Sequence, residues 1–226
     1  HLGHSFPTRR SSDLGGVKMG LNLSGITPIP SGGIQENAKL ENFVQEVKNN
    51  DGEISLNLAK GLSLDLTKQS PSLKKAKVGI GWDANINEDI DLDVFAFATE
   101  NGKIVNANDI IFFNNREPKI GITLDKDNRN GVGEGDDETI LFDLENIPNR
   151  ITKIVVFVNI YTPNKNFGMV KNCYARIINA ETNKQEFIYL LNEEGALFNA
   201  YEIVSFIRNK NGWSLETIGK GTNGED

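Results

Sequence analysis

The stretch Glu88-Asp-Ile-Asp-Leu-Asp-Val-Phe-Ala-Phe-Ala98 runs four carboxylates directly into an apolar segment. In an extended chain successive side chains alternate between faces, so Asp91 and Asp93 share one face while Leu92 and Val94 take the other. That period of two reads as a β-strand whose first residues form a comb of carboxylates. Same-face residues two apart are ~6.6 Å apart along a strand. Oxygen ligands sit ~2.4 Å from a hard cation such as calcium, so both teeth of the comb can serve one ion, directly or through water.

A second acidic stretch, Asp125-Lys-Asp-Asn-Arg-Asn-Gly-Val-Gly-Glu-Gly-Asp-Asp-Glu138, holds six carboxylates and three glycines in fourteen residues. The two stretches contain ten of the 31 acidic residues but only two of the 24 basic ones, Lys126 and Arg129. The remainder is close to neutral, so the net charge of −7 is a local feature. Two unit charges ~4 Å apart repel by ~1 kcal/mol in water and ~4 kcal/mol at an effective dielectric of 20. Against a typical domain stability of ~5–15 kcal/mol, bringing these stretches together calls for a compensating cation. Carbonyls turned inward by Gly131 and Gly133 suit the six to eight oxygens of calcium better than the water-retaining octahedron of magnesium.

Composition excludes much else. Both histidines, His1 and His4, lie in the first four residues, and Cys173 is the single cysteine. Nucleophilic triads lack their base, and zinc lacks its usual ligands. The helix-loop-helix calcium pattern fails because Arg129 and Asn130 occupy its fifth and sixth positions. Gly131-Val-Gly-Glu-Gly135 lacks the Lys-Ser/Thr of a phosphate loop and carries the wrong charge for an anion. A glycosidase acid and base pair needs one carboxyl kept protonated, and nothing in so acidic a cluster provides for that. Scattered basic residues and an acidic total argue against nucleic acid as a partner. No apolar run approaches the ~20 residues of a membrane span. The single cysteine and the lack of a basic-then-apolar start lead to a cytoplasmic expectation.

The 226 residues suit one domain with an appendage. Residues 1–14 have no strand or helix periodicity and resemble a translated adapter sequence, so they are set aside from fold reasoning. Residues 15–50 read as a Gly/Pro/Ser-rich linker followed by a short amphipathic helix over Ile34–Lys48, with Leu40, Phe43, Val44 and Val47 at helical spacing. The first 50 residues are therefore expected to be dispensable.

From residue 51 onward, short β-type runs separated by turns predict an all-β two-sheet sandwich. Its strands are Ile54–Leu58, Leu62–Leu66, Ala76–Trp82, Leu92–Ala98, Ile110–Phe113, Thr139–Phe142, Ile151–Tyr161, Cys173–Asn179, Glu186–Leu191, Tyr201–Ile207 and Trp213–Ile218. One helical turn is placed at Leu191–Asn199. Asn101-Gly102 and Asn211-Gly212 carry the hairpin dipeptide. Lys74, Lys75 and Lys77 are read as solubilising an edge strand, Cys173 as a buried small hydrophobe, and Trp82 and Trp213 as core aromatics.

These motifs, in order, resemble one family. Gly81-Trp-Asp83, Asp89-Ile-Asp-Leu-Asp93 running into Phe95-Ala-Phe97, Ile110-Ile-Phe-Phe-Asn-Asn115, Asp127 through Glu138, and Asn166-Phe-Gly-Met-Val-Lys-Asn172 before Ala175-Arg-Ile177 look like the TerD family of tellurium-resistance and general stress proteins. The resemblance extends from about residue 53 to residue 224. It implies a bacterial, cytoplasmic, calcium-binding β-sandwich with no catalytic activity attributed to the fold. Carried over by position, the metal-site residues are Asp89, Asp91, Asp93, Asp127, Asn128, Asp136, Asp137 and Glu138, with carbonyls from the glycine segment. Lys126 and Asn130 depart from the family's usual glycine and threonine, which leaves the number of calcium ions open.

The expectation is a non-enzymatic, calcium-ordered binding or scaffold module of the stress response, with calcium as the ligand and a protein partner or a second copy as the target. Its rival is a magnesium-dependent hydrolase or phosphotransfer enzyme using the same carboxylates.

Overall fold

A computed structural model describes residues 21–35, 37–48, 52–83, 90–126, 135–191 and 197–223, with the side chains of Asp83 and Lys126 excepted. Residues 1–14 lie outside it. The described residues form fourteen strands: β1 Ile26–Pro28, β2 Val44–Lys48, β3 Ile54–Leu58, β4 Leu62–Asp65, β5 Lys75–Asp83, β6 Leu92–Thr99, β7 Ile110–Ile111, β8 Ile122–Lys126, β9 Glu138–Asp143, β10 Lys153–Ile160, β11 Lys171–Asn179, β12 Gln185–Leu190, β13 Ala200–Asn209 and β14 Gly212–Thr222. They build two seven-stranded sheets, ordered β1-β4-β14-β13-β10-β6-β7 and β2-β3-β12-β11-β5-β9-β8. Pairing is antiparallel except between β12 and β3.

Alternation along the strands explains why the sheets face each other. In β6 the inward residues Leu92, Val94 and Ala96 are at most 1% exposed, while Asp93, Phe95 and Phe97 are half-buried on the outer face. In β5, Ala76, Val78, Ile80 and Trp82 point inward with no exposure at all. The layers meet through contacts such as Phe142 of β9 on Phe206 of β13, with ring centroids 4.7 Å apart. Trp213 of β14 crosses between them too, its indole N–H donating to the Leu144 carbonyl at 3.1 Å. The Asn101-Gly102 turn follows from backbone conformation: both residues have positive φ, 51° and 79°, and Glu100 bridges to Lys103. That geometry matches the twist of the flanking strands and favours Asn and Gly.

Every predicted strand is present, with ends shifted by a few residues. The helix over Ile34–Lys48 is not. The chain there makes one 3-10 turn at Leu40–Asn42 and then strand β2, which pairs antiparallel with β3 from Val44↔Leu58 to Lys48↔Ile54. Short helices are marginal alone, and β3 offers a row of backbone partners that a helix would leave unmet. Val44, wholly buried, seats the strand. The linker reading also changes, because β1 pairs with β4 and buries Ile26 and Ile29. Residues 26–48 thus supply an edge strand to each sheet.

One smaller expectation is corrected. Lys75 and Lys77 lie on β5, which is flanked by β11 and β9 and is not an edge strand; they occupy its outward positions instead. The described α-helix is a single turn, Leu66–Gln69, capped by Asp65, whose Oδ1 accepts from the Thr67 N–H at 3.0 Å. Most of the turn expected at Leu191–Asn199 lies outside the described residues.

At the β7 edge, Asp109 is fully buried and takes Arg150 at both oxygens, 2.9 and 2.6 Å, with a further hydrogen bond from the Asn106 N–H at 3.0 Å. Burial alone would raise its pKa; the hydrogen bonds and charge of Arg150 and the Asn106 N–H outweigh it and hold the carboxyl below its usual range. Its contribution is therefore present above the unfolded-state value of ~3.9 and is lost as pH falls through the lower folded value.

Deleting residues 1–48 should lower stability by more than ~2 kcal/mol in urea denaturation. Val44→Ala alone should cost ~2 kcal/mol from the methyls lost and the cavity left; an unchanged midpoint in both would return this segment to the role of a linker. Arg150→Met should cost ~3 kcal/mol at pH 7, the lower end for breaking a buried pair because Arg150 is 30% exposed. The gap to wild type should narrow below about pH 4 as Asp109 protonates, and a gap independent of pH would refute the pairing as its source.

Candidate functional site

Strand order brings both acidic stretches to one end of the sandwich. β5 ends there at Asp83, β6 begins there at Leu92, β8 ends at Lys126 and β9 begins at Glu138. The registers Ile80↔Glu138, Lys126↔Thr139 and Asp93↔Asn159 align these ends. Of the expected metal-site residues, Asp91, Asp93, Asp136, Asp137 and Glu138 are described; Asp89, Asp127, Asn128, Gly131 and Gly133 lie outside the described residues. Among the described residues no three carboxylates gather closely enough to hold an ion by themselves.

Asp137 and Glu138 are each only 1% exposed. Two adjacent carboxylates withdrawn from water are costly unless charge or hydrogen bonds compensate them. For Asp137 one compensating donor is the Trp82 N–H, which reaches Oδ2 at 3.0 Å, while the Asp137 N–H donates to the Ile80 carbonyl at 2.8 Å. Glu138 shares its strand face with Ile140 and Phe142 and so faces the layer between the sheets.

Trp82 also reaches the other acidic stretch. Its indole N–H donates to the Ile90 carbonyl at 3.2 Å, next to Asp91. The Asp91 backbone is held in turn, its N–H on Thr162 Oγ1 at 2.9 Å and its carbonyl accepting from the Tyr161 N–H at 2.8 Å. One buried side chain therefore ties the backbone beside Asp91 to the strand that grips Asp137.

Asp136 has a different setting. It lies on the outer face of the second sheet, where Oδ1 accepts from Arg176 Nε at 2.6 Å and from the Tyr174 hydroxyl at 3.2 Å. Burial opposes the Arg176 charge, but the Asp136 hydrogen bond and charge more than offset it and raise the guanidinium pKa. Burial and the neighbouring Asp136 likewise push the Tyr174 phenol up. Gly79 and Gly81 make room: a Cβ on Gly79 would overlap the Asp136 carboxylate, and one on Gly81 the Tyr174 ring.

Sequence reasoning missed the roles of Trp82, Tyr174 and Arg176. Gly79-Ile-Gly81 was a usable signal, since glycines inside a strand mark a close approach. Cys173 is buried as expected, and burial together with nearby Asp137 pushes its thiol up to about 12, too high for a reactive thiolate near neutral pH.

Trp82→Phe keeps most of the ring and removes one donor from a buried carbonyl. It should cost ~1–3 kcal/mol in urea denaturation, and a loss within ~0.5 kcal/mol would show that the bond to Ile90 contributes little.

Comparison with known proteins places this chain in a family. The TerD domain model matches residues 54–225. General stress protein 16U of Bacillus subtilis is 37% identical over 179 residues, covering 76% of this chain and 93% of that protein. Tellurium resistance protein TerD of Serratia marcescens is 34% identical over 175 residues, covering 74% and 91% respectively. Among solved structures, a telluride-resistance homologue from Streptomyces coelicolor superposes with a TM-score of 0.57 at 24% identity, over 68% of this chain and 93% of that one, a likeness of fold. By the family model and these relatives, the chain belongs to the TerD family of tellurium-resistance and stress proteins.

Proposed function

We propose that this protein is a non-catalytic calcium-binding module of the stress response, whose acidic end becomes a recognition surface for a protein partner or a second copy when the ion is held. The observation that carries the reading is the pair Asp137 and Glu138, buried to 1% exposure at the end of the sandwich where both acidic stretches terminate. All the candidate ligands there are oxygen donors, which fits a hard cation. Asp91, Asp93, Asp137 and Glu138, with Asp89, Asp127, Asn128 and carbonyls of Gly131 and Gly133, would hold it. Asp136, clamped by Arg176 and Tyr174, orients the start of β9.

Calcium would supply the positive charge that a dense carboxylate set lacks. The protein's own residues do the rest: Trp82 couples the two acidic segments, the Thr162 hydroxyl holds the Asp91 backbone, and Arg176 fixes the turn before Asp137. Occupied loops would then present an ordered surface. No histidine follows His4 to serve as a base. The magnesium-enzyme rival uses the same residues and is separated by experiment.

Calorimetric titration of chelator-treated protein should show calcium binding and much weaker magnesium binding. At free calcium ~1,000 times the dissociation constant, each independent site stabilises the fold by ~4.1 kcal/mol. Replacing Asp91 and Asp93 by Asn should stabilise the calcium-free form and shrink the calcium-induced rise in Tm. Trp82→Phe should remove the calcium-induced change in tryptophan fluorescence, whereas Trp213→Phe should keep it. No heat and no rise at millimolar calcium would sink the metal reading. Magnesium-dependent phosphate-ester hydrolysis lost in Asp91→Asn would establish the enzyme in its place.

A further inference from the structure

The outer face of the first sheet carries a block of apolar side chains at its β7 end. The strand registers place them in two rows across three strands: Ile110, Phe97 and Val155 in one, and Phe112, Phe95 and Phe157 in the other. Phe112 directly follows β7, and its ring lies 6.3 Å from that of Phe95. Phe95 and Phe97 stand 6.4 Å apart with ring planes 7° from parallel, and Phe157 meets Phe97 edge-on at 5.6 Å. All six side chains are half-buried, and Phe113, against the Phe112 ring, is 45% exposed.

Alternation accounts for the positions but not for the residue types. The period of two that buries Leu92, Val94 and Ala96 turns residues 95 and 97 outward, and a solvated sheet face ordinarily carries polar side chains there. Cross-strand aromatic pairs stabilise a sheet by at most ~1 kcal/mol each. A contiguous apolar patch left in water marks an interaction surface.

Charge around the block selects its occupant. On β13 the next positions in the two rows are Ser205 and Glu202, and Glu202 takes the Lys153 ammonium at 3.6 Å. Lys153 and Thr99 close the block at one end, Asp93 and Asn159 at the other. The rim is thus of mixed sign, and the excess negative charge lies beyond the Asp93 end in the two acidic stretches. A second copy laid face to face, its strands antiparallel to the first, sets Phe97 over Phe95 of the second copy and the Lys153 end over the other copy's Asp93 end. The two acidic ends then lie on opposite sides, separated by an eight-residue strand ~27 Å long, well past the ~8–10 Å screening length. A parallel arrangement would stack the acidic ends on each other.

We propose that this face is a self-association surface, on which two copies of the chain pair through the apolar rows in antiparallel orientation. Its six central residues are fewer than the ~20–30 a side of a standard interface, so the dimer is weak, with Kd on the order of 100 μM. It lies on a different surface from the calcium reading and requires no ion.

The test uses the full chain in chelator-containing buffer, followed by sedimentation velocity and amide shift mapping as concentration rises from ~5 to ~500 μM. The average mass should climb from 25.0 kDa toward twice that value, with concentration-dependent shifts on residues 95–97, 110–113 and 155–157. Phe95→Asp and Phe97→Lys should each stay monomeric to the highest concentration. Mixed in equal amounts, they should associate at least about tenfold more tightly than either alone, because the carboxylate introduced at position 95 meets the ammonium introduced at position 97. A constant monomer mass would hand the face to a different partner and overturn the proposal. Association that appears only with calcium, shifts confined to other faces, wild-type association by folded Phe95→Asp, or no pairing of the mixed variants would each overturn it as well. If either variant lacks a urea unfolding transition, the mass and shift measurements on wild type decide alone.

Discussion

Removing carboxylates from water is the constraint on which the acidic end of this molecule depends. Asp137 and Glu138 sit where a neutral side chain would be less costly, and the surrounding structure is shaped by that cost. The Trp82 N–H is turned toward Asp137 instead of completing a regular ladder, and the indole of the same residue reaches across to Ile90. The Asp137 N–H still finds the Ile80 carbonyl, so β9 stays registered on β5 while its first residues carry charge. Asp136, one residue earlier, faces outward and is satisfied by Arg176 and Tyr174. Three consecutive acidic residues thus have three different environments.

The sandwich tolerates this arrangement by being closed elsewhere. Away from the acidic end, Trp213 bridges the layers to Leu144, and the Arg208 guanidinium stacks on its ring 4.2 Å from the centroid while donating to the Ile147, Pro148 and Ile151 carbonyls. The wholly buried Asp109 is matched by Arg150. These contacts lie away from the acidic connections and tie the layers together at the other end. The N-terminal strands contribute in the same way, each satisfying an edge that would otherwise present unpaired backbone groups.

Much of this was legible in the residues. The alternation of Asp91 and Asp93 with Leu92 and Val94 placed β6 and both of its faces, and Asn101-Gly102 marked its hairpin turn. Strands β1, β2 and β8 were missed for a common reason. Each is three to five residues long at a sheet edge, too short for a period of two to stand out, and β8, whose Ile122 and Leu124 do alternate inward, runs straight into the acidic stretch. In β2, the spacing of Leu40, Phe43, Val44 and Val47 satisfies a helix as well as a turn followed by a strand. At the site, the excess of carboxylates in two stretches was visible, but their separate environments were not.

What the sequence determined by itself was the class of fold and the two acidic stretches, because periodicity and composition are local properties. What only the tertiary structure decided was which neighbour each group meets. Val44 becomes a strand residue because β3 stands beside it, Asp136 is clamped because β11 lies next to β5, and Trp82 joins the two acidic segments because the chain crosses from one sheet to the other between them. Most of those partners are distant along the chain, and the hydrogen bonds and burial that choose among local alternatives arise only once the sheets have packed.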